Sequence, residues 1–424
     1  MRRVVVLFVC IGLLIGLFAV CTPKEPTAVD KPEDNAPTQQ APEDTQQAEP
    51  EQEVEPVELT IWYETDDAIA AEIQNVLDEL APEVMVKVER KDKMVDALKL
   101  VGDDPASAPD MYFFAHDKIG VFAEMGILAP VTDFISMDVL ADHIPMTLDA
   151  ATYKDALYQV PIYFETLLFM YNKDLMETPP ATTDDLLSYM QNVPDGEYGF
   201  VEQHSTAYFS VGWIHGFDGY VIDGNATPGL NLQGTKDALA YHKQFVPLMP
   251  LDGDYNTMTT LFKEGKAHST IGGPWLIPDV KAANINLGLA SMPVINATGK
   301  PISPFSGVQG VSVLKVAEEK KDAVIKVLEK LAEPAVGINL SKATGCAPAR
   351  NACYDDEAVT SQELVAMLKS SAENVVPMPN VPEMDVMWAV TENLLVAVNK
   401  NDADPFTQAD IAQKEAEDKI NDMQ

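Results

Sequence analysis

The sequence predicts an α/β protein whose folded part holds two domains. Two observations carry this. β-Branched and aromatic runs alternate with segments whose apolar residues recur at helical spacing, and residues 57–424 far exceed the roughly 100–200 residues of one typical domain. A third observation says where function belongs: polar and aromatic residues follow Tyr63 and Phe114 directly, at the strand ends where open α/β sheets bind ligands.

Leu59-Thr60-Ile61-Trp62-Tyr63 reads as the first strand, and residues 66–80 as a helix with Ile69, Ile73, Val76, Leu77 and Leu80 on one stripe. Residues 84–88 give a second strand, 93–100 a second helix and 110–114 a third strand, so a parallel sheet wrapped by helices is expected. Pro179-Pro180 breaks the chain before Thr182, an N-cap candidate with Asp185 three residues on, and Leu186, Leu187 and Met190 continue as an apolar stripe. Residues 235–246, 322–331 and 406–423 read as further helices, while 308–316 alternates as a strand does. No fixed period repeats, which argues against a solenoid.

Ahead of the folded part, Arg2 and Arg3 precede an apolar run over 4–20, and Cys21 follows it; residues 1–20 have the layout of a signal peptide. Phe18-Ala19-Val20-Cys21 resembles the bacterial lipobox, with Val20 where Gly or Ala is usual. That resemblance implies a lipid on Cys21 and a protein anchored to a membrane outside the cytoplasm, at the outer face of the cytoplasmic membrane or in the periplasm. Residues 21–56 shift to Pro, Glu, Asp, Gln, Ala and Thr, a composition that cannot bury a core and reads as an extended acidic tether.

The net charge of −37 excludes a phosphate-backbone binder, so no nucleic-acid partner is expected. The six histidines are scattered without ligand spacing, so no metal is expected, and no other cofactor is implied. No Gly-rich loop ends in Gly-Lys-Ser or Gly-Lys-Thr, so the chain has no phosphate loop of its own. With Cys10 in the leader and Cys21 at the anchor, Cys346 and Cys353 remain; outside the cytosol a disulfide between them is expected, the alternative being two reduced thiols.

Sugars present hydroxyls around weakly apolar C–H faces, so a sugar site needs carboxylates or amides for the rim and aromatic rings for the faces. Phe114-Ala115-His116-Asp117-Lys118 and Pro161-Ile162-Tyr163-Phe164-Glu165 place acids beside aromatics, and Trp275 follows Gly272-Gly273-Pro274. Each feature alone is more often core or solvated surface than site. In combination they resemble the maltose- and maltodextrin-binding branch of the family 1 extracellular solute-binding proteins, the substrate-binding components of ABC importers. The resemblance covers nearly all of residues 57–424, through Leu59-Thr60-Ile61-Trp62, Tyr171-Asn172-Lys173-Asp174, Phe262-Lys263-Glu264-Gly265, Gly273-Pro274-Trp275 and Met378-Pro379-Asn380 leading to Trp388.

The resemblance implies a two-lobed periplasmic-binding-protein-like fold with a hinge and a ligand cleft between the lobes, residues 57–163 plus 311–357 forming one lobe and 168–305 plus 364–424 the other. It implies that Asp66, Asp117 and Glu165 accept hydrogen bonds from sugar hydroxyls, that Lys118 donates, and that Phe114, Tyr208, Trp275 and Trp388 form the aromatic floor. The sequence departs from the pattern at Phe114, where the best-known members have Trp, at Asp67 for Lys, at Ala389 for Tyr, and near Ala207, where an acid is usual. The expected activity is capture of maltose or maltodextrin by a monomer and delivery to ABC permease subunits, not an enzymatic reaction. Other oligosaccharides (cyclodextrin, xylo- or galacto-oligosaccharides), a sugar-sensing role and an anchored glycoside hydrolase are the competing readings.

Overall fold

The computed structural model describes residues 56–423; the leader, Cys21 and almost the whole acidic tether lie outside the described residues. β1 (Val57–Tyr63), α1 (Asp67–Leu77), β2 (Val84–Arg90), α2 (Met94–Val101) and β3 (Met111–Ala115) follow the expected alternation closely. α1 buries Ile69, Ile73, Val76 and Leu77 of the expected stripe with Ala70 beside them, and each such Ile, Val or Leu side chain contributes about 1.5–3 kcal/mol, while Leu80 falls beyond the helix and is half-buried. β1 pairs in parallel with both β2 and β3.

The parallel expectation ends there. β4 (Gln159–Thr166) leads into β5 (Leu168–Asn172) with only Leu167 between them. After α3 (Thr183–Met190), α4 (Ala207–His215) and α5 (Gln233–His242) come β6 (Ser269–Gly272), β7 (Leu287–Ala290) and β8 (Phe305–Leu314). Then follow α6 (Lys321–Leu331), α7 (Pro334–Thr344), β9 (Ala347–Pro348), α8 (Glu363–Ser371), β10 (Val376–Pro377), α9 (Met384–Leu395) and α10 (Pro405–Asn421).

The large sheet runs β9-β4-β8-β3-β1-β2 and is mixed, because β8 lies antiparallel to both β3 and β4. The smaller sheet, β7-β5-β6, is antiparallel throughout. β8 does not show the alternating exposure its sequence suggested; it is buried along nearly its whole length because it sits inside the sheet with both faces covered. Thr182 does cap α3: its hydroxyl oxygen accepts from the Asp185 N–H at 3.2 Å and donates to the Asp185 carboxylate at 2.7 Å.

The chain passes between the sheets at neighbouring points. Thr166 ends β4, Phe305 begins β8, and Val376 of β10 pairs in parallel with Phe305. The Thr166 hydroxyl donates to the Phe305 carbonyl at 2.8 Å and the Ser306 hydroxyl to the Glu165 carbonyl at 3.1 Å, tying the crossings into one hinge.

The disulfide expected between Cys346 and Cys353 is not formed; both are free, buried thiols. The Cys353 thiol is drawn to the start of α7, where it donates to the Pro334 carbonyl at 3.4 Å and packs against Gly337, while Cys346 lines the cleft described below. Burial pushes the two thiols up, Cys346 to about 12 and Cys353 to about 11, so neither is a ready nucleophile.

Candidate functional site

The carboxylates come from the large sheet. Asp66 follows β1 at the N-terminus of α1 in the left-handed region, φ 64°, a conformation Asp tolerates better than most residues. There the Tyr163 hydroxyl donates to its carboxylate at 2.9 Å. Tyr163 and Glu165 share one face of β4 because side chains alternate along a strand, and Phe164 between them is fully buried on the other face. Gln309, opposite Tyr163 on β8, donates from its amide to Glu165 at 3.4 Å. Burial, and then the charge of Asp66, raise the Glu165 carboxyl from 4.5 to about 7, while the Gln309 hydrogen bond works the other way.

Beyond β3 the chain turns through His116, Asp117 and Lys118. His116 is fully buried: its Nδ1 accepts from the Val308 N–H at 3.1 Å and its Nε2 faces the Met378 carbonyl at 2.8 Å. A backbone N–H can only donate, so Nδ1 is the bare nitrogen and Nε2 carries the proton. One side chain thus joins β8 to the 378–380 segment, and the Gly120 N–H reinforces the junction by donating to the Asn380 carbonyl at 3.0 Å. The His and Met-Pro-Asn residues of the sugar-like signature are therefore partners in a structural junction.

Lys118 is held by two carboxylates, Asp117 at 3.2 Å and Asp385 on α9 at 2.6 Å, and its side chain is 18% exposed. Burial works to lower its pKa, but the charges of Asp117 and Asp385 and their hydrogen bonds raise it overall. Lys99 of α2 approaches the same Asp385 at 3.6 Å. α9 packs against α4 and α10, and these pairs tie it to lysines on α2 and in the turn after β3.

Two of the four candidate aromatic rings, Trp275 and Tyr208, come from elements outside the large sheet, whereas Phe114 lies on β3 within it. Trp275, in the turn after β6, is 40% exposed, and its indole folds so closely over Gly273 that a Cβ there would lie 2.2 Å from the ring. Tyr208, in the first turn of α4, is tilted against Trp275 with ring centres 6.2 Å apart. Burial, and then the charges of Glu165 and Asp117, raise its hydroxyl above the usual tyrosine range. Trp388 is half-buried and meets Phe305 edge-on at 5.8 Å, against the hinge.

Asp66, Glu165 and Trp275 line one cavity of about 370 Å³, with Tyr163 and Cys346 in its wall. Phe114, Asp117, Lys118, Tyr208 and Trp388 are not among its walls; Asp117, Lys118 and Trp388 form a second group, joined through Asp385, three residues before Trp388 on α9. Sequence reasoning missed Tyr163 and Gln309 as supports of the acids. The first was legible as the residue two before Glu165 on a strand; the second comes from a distant strand and carried no signal. Among the described residues no group of three or more His, Cys, Asp or Glu side chains is placed to hold a metal ion.

Acids that accept hydrogen bonds on one wall, an exposed indole on the other, and a hinge between two lobes define a protein that binds a polar ligand in its cleft. The chain belongs to the bacterial extracellular solute-binding proteins, whose family model matches residues 68–367. It is 29% identical over 376 residues to a maltotriose-binding protein of Pyrococcus abyssi, covering 86% of this chain and 82% of the relative. It is 27% identical to a galactooligosaccharide-binding protein of Bacillus subtilis (86% and 89%) and 26% identical to a maltooligosaccharide ABC transporter solute-binding lipoprotein of Streptococcus pneumoniae (84% and 87%). The structure of a maltose-binding periplasmic protein from Listeria monocytogenes in complex with maltose superposes with a TM-score of 0.76 at 29% identity, covering 87% of this chain and 98% of that one.

Proposed function

We propose that this protein captures α-glucans, from maltose to maltodextrins, outside the cell and delivers them to an ABC importer. The observation that carries the reading is the cleft itself, where Asp66 and Glu165, each held by a hydrogen bond, face the open ring of Trp275. Ionised carboxylates accept from ring hydroxyls while the indole covers the C–H face. The relatives that bind maltotriose and maltooligosaccharides support the choice of sugar, and the streptococcal lipoprotein supports an anchor at Cys21.

Sugar bound between the acids of one lobe and the rings of the other makes contacts on both only when the lobes close, so ligand shifts the population toward the closed form. We assign the lobes to residues 57–163 with 311–357 and 168–305 with 364–424, moving about the crossings near Thr166, Phe305 and Val376. Asp117 and Lys118, with Phe114 and Trp388, are assigned to the same ligand at its second contact zone. Closed lobes then form the surface that permease subunits read.

Titration calorimetry of the full chain with maltose, maltotriose and maltotetraose tests the reading. Saturable binding that is lost in Trp275→Ala is expected, and silence with all three sugars would overturn it. The galactooligosaccharide-binding relative favours one alternative cargo, so galacto-oligosaccharides belong in the same titration. A carboxyl lifted to about 7 beside a second acid also resembles the acid of a glycosidase pair. Our reading expects maltotriose to be recovered intact after prolonged incubation; release of glucose or maltose would establish a hydrolase instead.

A further inference from the structure

We infer that the cleft selects by charge as well as by shape, and that it takes α-glucosides in which a protonated amine replaces a ring hydroxyl in preference to the neutral sugars. This deepens the α-glucan reading above and rests on it. The residues that line the cavity of about 370 Å³ include two carboxylates, Asp66 and Glu165, and no lysine, arginine or histidine. The basic side chains beside these segments are engaged elsewhere. Lys118 lies outside the cavity between Asp117 and Asp385, and the exposed Arg90 pairs with Asp67 at 3.2 Å and Asp92 at 3.5 Å.

The hydrogen bonds around the cavity leave the same imbalance. Tyr163 donates to Oδ2 of Asp66 and Gln309 to Oε1 of Glu165, and both donors are neutral. Among the described residues no side chain donates to Asp66 Oδ1 or Glu165 Oε2, so each carboxylate keeps one oxygen for the ligand. Burial, and then the charge of Asp66, hold the Glu165 carboxyl up at about 7, the response of an acid with a like charge nearby and no counter-charge.

A protonated amine meets each of these conditions. It carries donors and no acceptor, whereas ionised carboxylates only accept, so the two free oxygens are matched. Its hydrogen bonds to them are charge-assisted, about twice as strong as those of a neutral hydroxyl. The same cavity also holds the 40% exposed indole of Trp275, the side-chain ring that attracts a cation most strongly. A neutral hydroxyl satisfies the same oxygens without supplying the missing charge, and an anionic sugar is repelled by both acids.

Calorimetry of the full chain at pH 7 tests the inference with maltose, with maltose analogues carrying one amine in place of the C2 or C6 hydroxyl of either ring, and with their N-acetyl forms, which keep the substitution and lose the charge. At least one amine should bind about tenfold more tightly than maltose, and its N-acetyl form should show no such gain. In Glu165→Gln that amine and maltose should bind with equal affinity. If maltose binds as tightly as every amine, or if the gain persists in the N-acetyl form or in Glu165→Gln, the inference is overturned while the functional reading stands. Binding of an amine with silence from maltose keeps the charge selection and overturns neutral glucans as the cargo. Silence with every one of these sugars overturns the functional reading and the inference with it.

Discussion

The two walls of the cleft are built on opposite principles. The acid wall is part of the large sheet and is fixed by long-range hydrogen bonds: Tyr163 to Asp66, Gln309 to Glu165, and His116 bridging Val308 and Met378. The aromatic wall rests on helix starts and turns, and its main ring, Trp275, is 40% exposed with Tyr208 as its aromatic neighbour. Hydroxyl recognition requires acceptors placed to a fraction of an ångström, whereas a ring face tolerates sliding. On the proposed reading, the difference teaches that orientation of the sugar belongs to the acid wall and coverage of its faces to the aromatic one. Substitutions of the residues that hold the acid wall together should therefore cost folding stability, and those in the aromatic wall should cost binding alone.

His116→Ala breaks the rigid side most severely. It leaves the Val308 N–H and the Met378 carbonyl buried without partners, at a cost of about 2–4 kcal/mol by denaturant unfolding. Burial holds the His116 pKa below its usual 6.5, as it does for His215, which it brings to about 4. Both rings are neutral in the folded protein at pH 6.5 and protonate more readily once unfolded. Their stabilisation is therefore complete above pH 6.5 and is lost as pH falls below it, toward the folded value. The unfolding midpoint of the unaltered protein should drop steeply between pH 6.5 and 4.5, and less so in a His215→Gln variant; a flat profile would refute the buried neutral imidazoles.

On the mobile side, Trp275→Ala should leave the unfolding midpoint unchanged while weakening maltotriose about a hundredfold, because the ring is exposed until sugar covers it. Equal losses of stability and affinity would show the two walls to be alike after all.

Glu165 sharpens the comparison through pH. Its carboxyl is raised to about 7, so in the sugar-free protein burying the charge destabilises progressively as pH rises from about 4.5 through 7. A sugar hydroxyl that donates to the carboxylate favours the ionised form, so binding should tighten between pH 6 and 8 and release a proton, seen as a buffer-dependent heat. Glu165→Gln should remove that dependence, stabilise the sugar-free protein at pH 8, and weaken binding about tenfold.

How much of this was legible in the sequence follows from range. Ile69 to Leu77, Thr182 with Asp185, and the strands at Val57 and Met111 are local patterns, and the structure keeps them within a residue or two. The antiparallel β8 was not legible, because Gln309 and Tyr163 lie far apart in the sequence and nothing in either segment encodes their pairing. The same limit explains Cys346 and Cys353: short spacing suggested a bond, while the backbone between them turns one thiol to the cleft and the other to α7. The family signature pointed to Asp66, Glu165 and Trp275, which the cavity brings together, but it gave no sign that His116 and Asn380 within its motifs serve a junction.

The smallest expected effect concerns the contact that joins the walls directly. Asp385 on α9 receives Lys118 at 2.6 Å and Lys99 at 3.6 Å, so under the proposed lobe assignment it draws the lobes together without touching the cavity that holds Asp66 and Trp275. All three side chains are partly solvated, which keeps such a cluster near about 1 kcal/mol. Asp385→Ala should then weaken maltose, maltotriose and maltotetraose by the same factor, about fivefold. A loss that is uniform across chain lengths is the mark of a shifted open–closed equilibrium, since a removed sugar contact would penalise some lengths and spare others. Because the attraction is screened over about 3 Å at 1 M salt, high salt should weaken the unaltered protein toward the variant and leave the variant itself little changed. Length-dependent losses in Asp385→Ala would instead place Lys118 against the sugar, as a donor freed or misaligned by the loss of its partner.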